Sequence, residues 1–168
     1  YEELVYEGVG PAGTLLLLEV MTDNRNRTAP ELRKILDQHN GHRVSSGAAA
    51  WAVEDKGVVN VPRAQVDEER LFELAIEAGA EDVQDLGESW MVTTDKSSLD
   101  SVRDALVAAG VKVESAELTK LPKIKKTVGG HDAEVLVKLV ETLEEHEDVQ
   151  KVHGDFELDE AAIAALAR

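Results

Sequence analysis

The chain has 168 residues, of which 34 are acidic and 18 basic, for a formal charge of −16. A surface this acidic is not drawn as a whole to nucleic-acid phosphates or to anionic lipid, because both attractions need Lys and Arg. With 43% apolar residues and no cysteine, the chain can bury one large core or two small ones, and disulfides, thiolate metal sites and Cys nucleophiles are excluded.

The lack of cysteine fits a reducing cytoplasm. Aromatic residues make up only 4%, so the core must be built from Leu, Val, Ile and Ala. The longest apolar run, 15–18 continued by Val20 and Met21, is far shorter than the roughly 18 residues that span a bilayer. No basic segment followed by an apolar stretch marks a signal peptide. The chain opens at Tyr1 in the middle of what reads as folded sequence, which is expected of a fragment or a processed product.

Residues 15–21 read as a buried strand. Residues 23–27 are a polar turn. Thr28 is then the N-cap of a helix, with Glu31 as its capping-box partner and Pro30 in the first turn. Leu32, Ile35 and Leu36 share a face, and Asn40-Gly41 ends the helix. A polar turn, a second strand around 48–53 and a turn at Lys56-Gly57 complete a β-α-β unit.

Val58, Val59 and Val61 form the next strand, stopped near Pro62. Asp67 caps a helix that buries Leu71, Leu74, Ala75 and Ala78 and ends at Gly79. Residues 83–86 and 90–94 are strands of a hairpin turning at Gly87-Glu88. Ser97 or Ser98 starts a helix with Leu99, Val102, Leu106 and Ala109 on one face, stopped by Gly110. Val111 and Val113 begin a strand running towards Leu118. The order β-α-β-β-α-β is ferredoxin-like.

Asp132 then caps a helix carrying Leu136, Leu139, Val140 and Leu143. Residues 149–152 and 156–158 read as one strand kinked at Gly154, and a short Ala-rich helix follows Asp159. The expected fold class is α/β (α+β), with two ferredoxin-like α/β domains, one inserted into the other. Residues 1–57 and 127–168 form the discontinuous domain, 58–126 the insert, and 120–130 the return linker. Glu-Asp-Val-Gln occurs at 81–84 and again at 147–150, between a helix and a strand both times. Duplication and chance recurrence both account for it.

Gly8, Gly10 and Gly13 match G-x-G-x-x-G, but they precede a strand and no helix follows at once. A Gly-Pro turn leading into the strand explains them better than a pyrophosphate loop. His39 and His42 are three apart, but Asn40-Gly41 breaks the helix between them, and no Cys or well-placed acid completes a metal site. His146 lies among Glu144, Glu145, Glu147 and Asp148 as a solvated helix end. His131 and His153 stand alone. Ser45-Ser46-Gly47 lacks the G-x-S-x-G elbow. The carboxylates are scattered over helix surfaces, and the sequence pairs none of them across a cleft.

The few basic residues are more informative. Arg25 and Arg27 flank a helix start, with Asn24 and Asn26 beside them, and Arg33 and Lys34 follow. Lys120, Lys123, Lys125 and Lys126 cluster around Pro122. Asn and Arg at a helix N-terminus can hold phosphate through side chains, backbone N–H groups and the dipole. The alternatives are a hydrogen-bonded turn sealing the strand–helix junction and a soluble lysine-rich linker. From the residues alone these plainer readings are preferred, and the ten residues stand as candidate nucleic-acid contacts in two local positive spots, with Arg25 and Arg27 first.

Tyr6-Glu7-Gly8 with Gly10-Pro11, the apolar strand, and Thr22-Asp23-Asn24-Arg25-Asn26-Arg27-Thr28 with its helix resemble the YebC/PmpR family. That family includes the mitochondrial translational activator of cytochrome c oxidase. Lys56-Gly57, the ferredoxin-like insert and Glu-Asp-Val-Gln-Lys-Val at 147–152 extend the resemblance over essentially the whole chain. It departs after the first helix: where relatives run through a Gly-rich stretch into Gly-Ser-Val and a Phe strand, this chain has Gly41, Val44, Ser45, Gly47, Ala48, Ala49 and Trp51, and Arg43 adds a charge.

The resemblance implies a non-enzymatic regulator of gene expression without cofactor or metal, in the first instance a DNA-binding transcriptional regulator. The alternative is a ribosome-associated translation factor or translational activator that relieves stalling at proline-rich stretches. A third reading is a protein-binding module whose acidic faces recruit a basic partner. Family members have a basic helical N-terminal domain followed by two α/β domains, and this chain matches only the latter two. The implied partners are DNA, or ribosomal RNA and the ribosome, reached through the intact protein; other proteins would meet the acidic faces, and no membrane is involved.

Overall fold

The computed structural model describes residues 1–45 and 47–166, so Ser46 lies outside the described residues. The chain forms one compact unit from Tyr1–Glu54 with Leu121–Arg168, and a second from Asp55–Lys120. It begins with β1 (Glu2–Val9), β2 (Leu15–Thr22), α1 (Arg25–Gln38), β3 (His42–Val44) and α2 (Ala48–Ala52). The insert follows as β4 (Val53–Pro62), α3 (Glu68–Glu77), β5 (Asp82–Asp85), β6 (Ser89–Asp95), α4 (Leu99–Ala108) and β7 (Ser115–Pro122). The return runs through β8 (Lys126–Val128), α5 (Gly130–Glu145), β9 (Val149–Gly154), β10 (Phe156–Leu158) and α6 (Glu160–Leu166). None of the described helices is long and apolar enough to cross a membrane.

The outer unit is built on β2. Its sheet has the order β3-β1-β2-β9, antiparallel throughout, and β8 and β10 form a separate parallel pair. Leu16, Leu18 and Val20 face a core shared with Leu32 and Leu36 of α1 and Leu136, Leu139 and Leu143 of α5. Leu15 and Leu17 point the other way and meet Ala49 and Val53. A strand covered on both faces needs an unbroken apolar run, and that is why this one stands out in the sequence. Gly8 lets α1 approach, since a Cβ there would sit 3.0 Å from the Leu36 methyls.

The inserted unit has the sheet order β5-β6-β4-β7, with β6 antiparallel to both β4 and β5. Leu71 and Ala75 of α3 and Val102 and Leu106 of α4 pack on Val59, Val61 and Val92. This is the ferredoxin-like arrangement expected. Asp67 caps α3 by accepting from the Arg70 N–H, and Gly87 takes a positive φ in the β5–β6 hairpin.

Several local expectations are corrected. Residues 48–53 are mostly the short helix α2, not a strand, and the second strand of the opening unit is β3, in the stretch expected as a turn. Strand β1 is additional to the expected elements. Helix α1 is capped by Asn24, so Thr28 and Pro30 lie inside it rather than at its start. Asp132 lies in the first turn of α5, whose N-cap is Gly129. The expected kinked strand is two strands in different sheets, β9 and β10. Residues 120–130 are not a free linker, because β7 runs to Pro122 and β8 starts at Lys126. The two compact units divide at 54/55, inside β4, and at 120/121, inside β7, within a few residues of the expected 57/58 and 126/127.

Neighbouring positions on α4 give a stability test of this core. Leu106 is fully buried and Val107 exposed. Leu106→Ala is expected to cost about 2–5 kcal/mol in urea denaturation, and Val107→Ala to stay within about 0.5 kcal/mol of the parent.

Candidate nucleic-acid interface

The block from Thr22 to Thr28 is where β2 turns into α1, and its polar atoms are used locally. The Asn24 side-chain oxygen accepts from the Asn26 and Arg27 N–H groups at 3.1 and 3.3 Å, the ordinary work of an N-cap. Those amides are therefore engaged inside the block. The Asn24 N–H donates to Thr22 Oγ1 at 3.0 Å, and the Thr22 and Thr28 hydroxyls lie 2.7 Å apart.

Asp148, 6% exposed, joins this block from the other end of the chain. Its Oδ2 accepts from Thr28 Oγ1 at 2.7 Å and from the Arg27 guanidinium at 3.1 Å. Arg27 also reaches Asp23 at 3.1 Å. The Thr28 hydroxyl first, and Arg27 second, hold the Asp148 carboxyl below the ordinary Asp value. Such charge-assisted bonds are the condition on which a carboxylate is buried.

The other expected site residues divide. Arg25 makes a two-point pair with Glu2 at 2.9 and 2.7 Å. Lys120 pairs with Asp55 at 2.8 Å, Lys125 approaches Glu157 at 3.9 Å, and Lys126 meets Asp155 at 3.3 Å and the Gly13 carbonyl at 2.8 Å. Lys123 stands 4.3 Å from the ring centre of Trp51, which is 75% exposed. Arg33 and Lys34 are exposed and make no ion pair within the described residues.

Arg33 belongs to a site whose other half comes from β1 and β3. Arg25, Asn26, Ala29, Pro30 and Arg33 follow one flank of α1 and line a groove of about 430 Å³ with Leu4, Tyr6 and Arg43. The β1–β3 pairing sets Arg43 opposite Gly8, and strand alternation places Leu4 and Tyr6 on the same face as Gly8. The Arg43 guanidinium lies 4.7 Å over the Tyr6 ring centre, a cation–π distance. Arg43 stood in the sequence only as an added charge. Its role needed β3, and β3 looked like a turn.

The histidines are also more engaged than expected. His146 Nε2 lies 2.6 Å from Glu31, and its Nδ1 accepts the Asp148 N–H at 3.1 Å. Donor atoms of Glu31, His146 and Asp148 lie within 4.8 Å of one another, a spacing a metal could use. Each already has a protein partner, however, and Arg27 adds a positive charge beside Asp148. These residues fit an ion-pair and hydrogen-bond cluster rather than a metal centre. His153 is buried with its Nε2 2.5 Å from Glu19, so it does not stand alone.

Residues 1–156 match the family model described as the second and third domain of TACO1/YebC. A probable transcriptional regulatory protein of Carboxydothermus hydrogenoformans is 44% identical over 161 residues, covering 94% of this chain and 66% of the relative. One of the same description from Geotalea uraniireducens is 48% identical over 160 residues, covering 95% and 64%. The crystal structure of a conserved hypothetical protein from Aquifex aeolicus superposes with a TM-score of 0.84 at 39% identity, covering 95% of this chain and 66% of that one. The chain thus spans about two thirds of the length of the relatives it matches.

Asp148→Asn removes the buried charge while keeping the shape, and is expected to cost about 1–3 kcal/mol at pH 7. Because the folded Asp148 binds its proton less readily than an ordinary Asp, the advantage of the parent is complete above the unfolded value near 3.9. It disappears as pH falls through the lower folded value. Urea midpoints of the two proteins at pH 7 and down an acid series check this, and a gap that stays constant into strong acid would contradict it.

Proposed function

The chain belongs to the TACO1/YebC family, and from that premise we propose that it is the acidic two-domain portion of a non-enzymatic regulator of gene expression that works on nucleic acid in the cytoplasm. The observation that carries this reading is the small cationic surface on an otherwise acidic chain: Arg33, Lys34 and Arg43 are exposed and lack ion pairs within the described residues. Unpaired cations release counterions when they meet phosphate, whereas cations already held by carboxylates contribute less. We therefore rank Arg33, Lys34 and Arg43 ahead of Arg25, Arg27 and the paired lysines.

The description of the relatives as probable transcriptional regulatory proteins favours DNA as the target. A second reading, RNA on the ribosome, is favoured by Trp51, whose exposed ring beside Lys123 suits an unstacked base better than a duplex. In both readings the main contact lies in the remaining third of the relatives' length, implied by the resemblance to be a basic N-terminal domain. The residues described above then orient the complex.

The test is nucleic-acid affinity across a salt series, for this chain and for a version extended to the length of its relatives. This chain is expected to bind weakly with a shallow slope of log K against log salt, and the extended protein tightly with a steep one. Tight, steeply salt-dependent binding by this chain alone would refute the placing of the main contact. Promoter footprinting set against co-sedimentation with ribosomes separates the two targets.

A further inference from the structure

Arg25, Arg27, Arg63 and Arg103 each stand against a carboxylate. Arg33 and Arg43 do not, although carboxylates outnumber cations almost two to one in this chain. They come from different elements, α1 and the edge strand β3, and line the same groove. Two like charges sharing a concavity repel, so the arrangement lacks its counter-charge. Arg43 is also pre-organised, because the Tyr6 ring beneath it holds the guanidinium fork in place while its donors remain free. Asn26, exposed on the same flank, adds an amide that can both donate and accept.

The groove's size bears on what fills it. A volume of about 430 Å³ falls in the range of small-molecule sites, about 300–1,000 Å³. That is room for one nucleotide unit of a flexible strand. Arg43 offers its outer side for a base, since guanidinium planes stack on unpaired bases.

We infer that this groove binds a phosphodiester segment of single-stranded nucleic acid, with Arg33 and Arg43 on the phosphate oxygens and a base stacked on Arg43 over Tyr6. Asn26 then meets the sugar or the base edge. The assignment deepens the nucleic-acid reading above and rests on it. The Arg25–Glu2 pair stands at the same groove and contributes no net charge, so Arg33 and Arg43 carry the attraction.

The experiment measures binding of fluorescein-labelled U10 and dT10 to the chain and to its extended version by anisotropy, between 50 and 200 mM salt. Arg33→Gln with Arg43→Gln is compared with Lys112→Gln with Lys138→Gln, which removes the same charge from exposed positions outside the groove. Losing two single-strand phosphate contacts is expected to flatten the salt slope by about 1.4, and to weaken binding roughly 10–30-fold at 0.1 M salt. The lysine variant should bind like the parent. Arg43→Lys should keep the slope but lose affinity, because it keeps the charge and gives up the fork and the stack. Tighter binding of U10 than dT10 would identify RNA as the source of the strand, and equal binding the shared backbone.

Thermal melts matching the parent would show that the variants fold. If the extended protein binds U10 and the arginine variant binds equally well with the same slope, the groove assignment falls and the nucleic-acid reading stands. Equal loss in the lysine variant, or an equal loss of affinity for a ten-base-pair duplex in the arginine variant, would also overturn the assignment. If the extended parent binds neither strand nor duplex, the wider reading falls with it.

Discussion

One buried carboxylate organises the outer unit. Asp148 accepts from Thr28 and Arg27 through its side chain, its carbonyl accepts the Met21 N–H at 2.9 Å, and its own N–H donates to His146. The Thr28 contact bridges 120 positions of sequence, so it forms only when the returning chain lies beside the first helix. The β2–β9 ladder shifts register between Glu19 and Val20, and the bond from Met21 to Asp148 takes up the pairing beyond that shift. A charge withdrawn from water tolerates little displacement of its partners. Its position therefore fixes the start of α1, the end of β2 and the turn between α5 and β9 together.

That anchoring gives α1 two unlike flanks. Thr28, Leu32 and Leu36 are buried, and Arg27 is drawn to Asp148 at the junction. Arg25, Asn26 and Arg33 line the groove towards β1 and β3. The two arginines nearest each other in the Asn-Arg block thus do different work: one closes a seam, and the other stands at the mouth of a cationic groove. A rigid seam is what lets the groove keep its shape, since side chains that recognise a ligand must be held by the elements beneath them.

The sequence made some of this legible and hid the rest for physical reasons. The two-sided burial of β2, the Asp67 cap and the Gly87 hairpin are local features, written in adjacent residues. Helix α2 is not local: its first N–H groups are capped by Glu7, which accepts from Ala49 at 2.6 Å and Ala50 at 3.4 Å across more than forty residues of chain. Without that cap, an Ala-rich stretch ending in Trp and Val reads as easily as a strand. Thr28 resembled an N-cap because Glu31 follows it at capping-box spacing, but its hydroxyl is committed to Asp148, and Asn24 takes the capping role. The repeated Glu-Asp-Val-Gln shows how far four letters can mislead. Its first Asp, Asp82, is exposed on β5, and its second, Asp148, is buried at the seam.

Where the insert leaves and rejoins the outer unit also has an energetic meaning. The Lys123 N–H donates to the Ala52 carbonyl at 2.9 Å, although about seventy residues separate them. Within the insert, Lys120 reaches Asp55 at 2.8 Å, and β4 and β7 are neighbours in one sheet. The two ends of the insert therefore emerge side by side. Closing a flexible loop costs about 0.6 kcal/mol more for each doubling of its length, so a disordered excursion of this length would tax the outer unit by roughly 2.5 kcal/mol relative to a four-residue turn. An insert that folds on its own sheet brings its ends together beforehand, so the outer unit completes its own fold as though the chain had made a tight turn.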